Sequence, residues 1–302
     1  MSLNNITDEI YSKAAVSTCI ISAGISFIAS VNLIWSLCVN KSEKKTPAAN
    51  ITLIVGNLSM FLYSMSYIFS LGYNLYETPM MVIHGFTLAS AECCYIYYSW
   101  ARGGDIVRRL SKLVYNIMNR IFAVLLPTVV VLDLISIGIY LFFSLTDTIK
   151  LILLVQSTIS ETFFVAVDLT LVLHFIMYLK SIQIDGSRTR TEFILISQYG
   201  IISCSMAAVG FGTFGVGFIT ADSNLENILI AVSSVFLSLQ LAVLVVMKLH
   251  ISWVVVAEKI RRDKSSVNRE VALRYSAVSE NLRLSKQSES PQLESGVARL
   301  IV

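Results

Sequence analysis

Seven apolar runs, each longer than 20 residues, dictate what this chain can fold into. They cover 14–39, 49–72, 80–101, 119–144, 150–179, 193–219 and 227–252. At a rise of about 1.5 Å per residue, each crosses a hydrocarbon core about 30 Å thick. A soluble core in a chain of 302 residues has no use for such runs. The residues are 55% hydrophobic and 14% charged, with a mean hydropathy of +0.70. A soluble domain is about a quarter charged. Disorder, collagen and a disulfide scaffold are excluded by the same figures. No period-two alternation runs through the spans, which argues against a β-barrel. Bundled helices satisfy every backbone group internally. The expected fold is therefore all-α, a polytopic bundle of seven transmembrane helices.

Lysine and arginine set the expected orientation. With the N-terminus outside, 21 of the 23 basic residues fall on the inner side or at the helix ends beside it. Only Lys13 and Lys150 lie outside. This is the positive-inside pattern. Trp35, Trp100 and Trp253 all fall at inner ends of spans, as an interfacial aromatic belt requires. Residues 1–13 read as an extracellular tail. They are polar and carry Asp8 and Glu9, the wrong start for a cleaved signal peptide, so span one reads as an uncleaved anchor. Asn5-Ile6-Thr7 is a glycosylation sequon on that tail. Residues 14–252 form the bundle. A cytoplasmic amphipathic helix is expected over 253–284, with Val256, Ile260, Val267, Val271 and Val278 on one face. Its Lys259, Arg261, Arg262 and Lys264 suit the anionic lipids of the inner leaflet. Residues 285–302 read as a disordered serine-rich tail.

The outer connections are very short, so any external ligand is small or enters from the lipid. Ser22, Ser26 and Ser30 recur every four residues in span one. Gly210, Gly212, Gly215 and Gly217 crowd span six. Small residues let helices approach closely in lipid. The cysteines, Cys19, Cys38, Cys93, Cys94 and Cys204, all lie within spans and read as packing residues. No metal or cofactor motif is present.

The most informative residues are acids inside spans. Glu92, Asp133 and Glu161, in spans three to five, lie at about 16–18 Å from the outer ends by helix rise. Asp168 shares a helix face with Glu161, two turns further in. A carboxylate in hydrocarbon is costly and must face the bundle interior. No lysine or arginine falls at the same depth by counting. Each acid must then be protonated, hydrogen-bonded or neutralised by a bound cation. Tyr95 and Ser99 follow Glu92 on its face and are candidate partners. The acids are candidates for holding a cationic ligand, an ion or a proton, or for lining a transport path. A purely structural role, neutral acids bonding helices together, competes with each of these. His84, one turn inside span three, is a candidate for a pocket mouth. The alternative for it is an interfacial histidine with satisfied partners. Hydrolytic motifs are absent, so no enzyme is expected. The basic inner side follows from topology and implies no nucleic acid.

Seven helices, an outer N-terminus, a basic inner face and a membrane-leaving amphipathic helix resemble the G-protein-coupled receptor architecture. The resemblance covers residues 14–275. Span three ends Tyr98-Ser99-Trp100-Ala101-Arg102, where the rhodopsin-like class has an acid-Arg-aromatic triplet, and only Arg102 stands in. Span seven reads Leu239-Gln240-Leu241-Ala242-Val243 in place of Asn-Pro-x-x-Tyr. The resemblance implies a divergent receptor at the plasma membrane for a small or lipid-borne ligand. It also implies a heterotrimeric G protein on the inner face, with Arg102, Arg108, Arg109 and Lys112 as contacts. The alternatives are a proton- or cation-coupled small-solute transporter working through the acids, and a structural adaptor that presents its tail.

Overall fold

The computed structural model describes residues 3–39, 47–73, 77–142, 147–185, 191–220 and 223–288. Among them are seven helices and no strand: α1 (Leu3–Val39), α2 (Pro47–Tyr73), α3 (Glu77–Leu110), α4 (Lys112–Phe142), α5 (Asp147–Asp185), α6 (Thr191–Ile219) and α7 (Ser223–Ser288). The residues divide into two compact units, Met1–His250 and Ile251–Val302.

Five helices are long and apolar enough to cross a membrane, through Glu9–Cys38, Ala48–Leu71, Thr162–Ser181, Phe193–Gly217 and Asn224–Ala257. The chain thus reads as an integral membrane protein. Helices α3 and α4 are not among the five. His84, Glu92 and the tyrosines at 95, 97 and 98 dilute the apolar run of α3. Many side chains of α4 beyond Val124 lie outside the described residues. Burial follows the polarity that lipid imposes. On α1, Ser22 and Ser26 are fully buried, while Ile20, Ile21, Phe27 and Ile28 are each more than half exposed. Water would drive such a surface inward, and hydrocarbon tolerates it.

Helix ends depart from the expected spans. Helix α1 starts at Leu3, so the described part of the polar stretch before residue 14 is already helical. The inner connection 102–118 is almost wholly helical. Helix α3 runs on to Leu110 and α4 begins at Lys112, leaving Ser111 alone between them. Its hydroxyl accepts the Val114 N–H at 3.3 Å, and its carbonyl accepts the Tyr115 N–H at 3.1 Å. These are N-cap bonds, which satisfy donors that a helix start otherwise leaves open. Helix α7 reaches Ser288 and so includes residues 253–284, where a helix is expected after span seven.

Helix α3 touches α2, α4, α5 and α6. Trp100 stacks on Tyr115 and Phe122 of α4 at 5.6 and 4.7 Å. Gly56 of α2 faces Cys94, where an added Cβ would lie 3.0 Å from the cysteine Cβ. On the other flank, the ring of Phe175 (α5) sits against Gly103 (α3) and Gly200 (α6). A Cβ on Gly200 would overlap that ring, and one on Gly103 would lie 2.9 Å from its Cζ. Glycine at both positions is what lets three helices close on one phenyl group.

Helix α7 closes the bundle against α1, α2 and α6. The Ser22 hydroxyl lies 2.7 Å from the hydroxyls of both Ser64 (α2) and Ser238 (α7). It also donates to the Ser234 carbonyl at 3.0 Å, and Ser26 donates to Ser238 at 3.0 Å. The four-residue serine spacing of span one is thus a polar seam as well as a packing surface. Nearer the other end of α7, the buried Lys248 ammonium donates to the Asn50 side-chain carbonyl of α2. Toward the start of α7, Tyr67 donates to Asn227 Oδ1 at 2.8 Å.

The glycine notch makes a test. Gly200→Ala is expected to destabilise the bundle by about 1–3 kcal/mol through overpacking. Adding Phe175→Leu, which removes the ring, should recover most of that loss. Thermal unfolding in a fixed detergent measures both. Additive losses would show that the notch is not where the strain falls.

Candidate functional site

Asp168 is the carboxylate that the described fold buries, at 4% exposure. Helix α5 carries it inward between α3 and α6. Tyr95 of α3 donates its hydroxyl to Asp168 Oδ1 at 2.7 Å. Cys204 of α6 donates its thiol to the same oxygen at 3.5 Å. The Tyr95 hydroxyl and Cys204 Sγ are themselves 3.6 Å apart. One carboxylate oxygen therefore joins three helices. The other, Oδ2, is buried with no hydrogen-bond partner among the described residues. A buried carboxyl oxygen calls for a proton, a water or a cation.

Above this joint lies a second polar position. Glu92 precedes Tyr95 by three residues, so the two share a face of α3. Both line a cavity of about 10 Å³ with Met60, Gln240 and Leu241. Gln240 is 2% exposed, and its backbone carbonyl accepts the Ser203 hydroxyl at 3.4 Å. This space matches the least that holds one water. It does not hold an organic ligand without movement of the helices around it.

The remaining expected positions scatter. His84 lies eight residues before Glu92, about 12 Å away along α3. Its ring stacks on Tyr63 at 3.9 Å and approaches Tyr67 at 5.2 Å. Its Nδ1 is buried with no hydrogen-bond partner among the described residues. It belongs to the α2–α3 contact and is separate from Asp168. The side chains of Asp133, Glu161 and Asn5 lie outside the described residues. Arg108, Arg109 and Lys112 are exposed around the α3–α4 junction. Arg108 rests over Tyr115, 5.7 Å from its centroid, and Arg109 over Phe193 of α6 at 4.4 Å. Such cation–π seating holds a guanidinium in place while leaving it free to meet an anion. Arg102 stands apart. Its guanidinium leans back along α3 to 5.6 Å from the Tyr98 ring, the direction in which helical side chains point.

Sequence reasoning paired Tyr95 with Glu92 and read Cys204 as packing. The fold gives Tyr95 to Asp168 and places Cys204 on the same oxygen. Gln240 and Lys248 were also passed over as partners. A lone polar residue in an apolar run was the available signal for each of these two. No local pattern marks Cys204.

Tyr95→Phe is expected to cost about 1–3 kcal/mol, the penalty for stripping a buried acceptor of a donor. Tyr95→Phe with Asp168→Leu should be less destabilising than Tyr95→Phe alone, since both polar partners are then gone. Unfolding of the two variants under one set of conditions decides it. A double variant weaker than the single one would mean that Asp168 holds something besides Tyr95 and the Cys204 thiol.

No family model matches the chain, and no curated protein matches it in sequence.

Proposed function

We propose that this chain is a seven-transmembrane signalling receptor of G-protein-coupled-receptor-like architecture, divergent from the rhodopsin-like class. In this reading it lies in the plasma membrane with its N-terminus outside, and spans three and four complete the seven. Its ligand is small or lipid-borne. The observation that carries the reading is the joint at Asp168. One buried oxygen ties α3, α5 and α6 together, beside a cavity bounded by Glu92 and Gln240. A ligand that competes for these polar groups changes how the three helices pack. It shifts the equilibrium only by its differential affinity for the two arrangements. The exposed cations Arg108, Arg109 and Lys112 lie at the far end of the same α3 and at the start of α4. They supply a basic edge suited to an acidic G-protein surface or to anionic inner-leaflet lipids.

A second reading rests on the unpartnered Oδ2 of Asp168. A carrier coupled to protons or a cation needs such a group in its path. Charge-neutral substitution separates the two. In a receptor, Asp168→Asn alters basal signalling or ligand potency. In a carrier it abolishes coupled flux.

The decisive assay is dissociation of a panel of heterotrimeric G proteins in cells, with and without the chain. Arg108→Glu combined with Arg109→Glu, matched for surface expression, is the control. Replacing two contact cations should weaken coupling at least about tenfold. Silence across the panel with folded protein at the surface and a ligand library applied would overturn the receptor. Proton or sodium flux, lost in Asp168→Asn, would then establish the carrier.

A further inference from the structure

A second cavity, again about 10 Å³, lies between α3, α5, α6 and α7. Its polar wall is Ser99, Arg102 and Ser203, and its apolar wall includes Phe175, Leu244 and Met247. Arg102 Nε is buried and has no hydrogen-bond partner among the described residues. Nor does any described carboxylate pair with Arg102. A guanidinium has a rigid fork of donors and cannot shed its charge. An orphaned donor on such a group, facing a cavity, is a vacancy for an anion.

We infer that this cavity is a binding site for an amphiphilic carboxylate, its anionic head on Arg102 and its apolar end in the place now taken by the Phe175 ring. The head follows from charge and geometry. Guanidinium and carboxylate match as a bidentate pair. A phosphate dianion asks for more than one cation, and Arg102 is the single cation in the lining. Ser99 adds a hydroxyl beside it, while the Ser203 hydroxyl is already donated to the Gln240 carbonyl. The apolar end follows from the glycine notch. The Phe175 ring is held by contact with Gly103 and Gly200, with no bond fixing it. The ring borders the cavity, so displacing it would open a phenyl-sized space beside Arg102. Binding sites commonly combine mostly apolar walls with a few converging polar groups. The site is compatible with receptor and carrier alike, with Arg102 serving this cavity and Arg108, Arg109 and Lys112 left as the basic edge.

The test uses the full chain in lipid nanodiscs, with phenylbutyrate and its uncharged isostere phenylbutyramide as probes. Calorimetry reads affinity, and the melting temperature confirms folding. Wild type should bind the acid saturably and about tenfold more tightly than the amide, the worth of one charge-assisted contact. Arg102→Gln should erase that preference. Phe175→Ala, which opens the space outright, should bind both probes more tightly and keep the preference. Equal binding of acid and amide would overturn the proposal. So would no saturable binding by wild type, or a preference that survives Arg102→Gln. Should Arg102→Gln fail to fold, the acid-to-amide ratio in wild type and Phe175→Ala decides alone.

Discussion

A carboxyl group buried among apolar helices commits those helices to one arrangement. Asp168 lies away from bulk water, so the hydrogen bonds to its Oδ1 come from protein. Tyr95 reaches it from α3 and Cys204 from α6, both onto one oxygen. Moving any of the three helices by a turn would leave a polar atom exposed to hydrocarbon or to empty space. The other contacts near it follow from that choice of register. With Asp168 set against Tyr95, Phe175 falls two turns along α5, where Gly103 and Gly200 leave room for its ring. Phe164, one turn the other way, stacks on Phe211 of α6 at 5.8 Å.

The opposite side of the bundle uses weaker and more numerous bonds. Four serines from α1, α2 and α7 share one hydroxyl cluster. One proton assignment satisfies all of it: Ser22 donates to the Ser234 carbonyl and accepts from Ser64 and Ser238, while Ser26 donates to Ser238. Serine suits this place because its short side chain lets backbones approach closely and its hydroxyl both donates and accepts. Hydrophobic burial contributes little to such packing, since lipid tails are as apolar as leucine. The exposed isoleucines of α1 already sit in their preferred solvent. Shape and polar matching are left to decide which faces meet.

What could be read from sequence divides along the same line. Helix existence was legible because hydrocarbon demands long apolar runs. The serine seam was legible as a surface because its four-residue spacing survives folding. The need to place Asp168 inward was legible from its charge. Its partners were not. A tyrosine on α3 serves either Glu92 or Asp168 depending on helix rotation, and rotation is set by contacts distant in sequence. Cys204 looks like any small packing residue until α6 is docked. The helical course between spans three and four was not legible for another reason. Charged residues such as Arg108 and Arg109 end a membrane span, yet they are good helix formers and continue the helix itself. Only Ser111, a strong capping residue, interrupts it. His84 stands apart from Asp168, because its ring stacks on Tyr63.

The magnitudes decide whether such a bundle can switch. An interhelical hydrogen bond in a membrane protein is worth about 0.6 kcal/mol on average and up to about 1.7. A hydrogen bond to a charged group contributes about 1.5–3 kcal/mol. A ligand that offers one charge-assisted bond at Glu92 or Asp168 therefore competes on equal terms with the bond it displaces. The small cavities beside Tyr95 and beneath Arg102 add to this. A close-packed interior has no slack to absorb a ligand, so occupancy must move helices or side chains and cannot merely fill space. Tight packing around a few polar joints is thus compatible with a protein that changes state. The joints are strong enough to define one arrangement and weak enough for a single charged contact to exchange it for another.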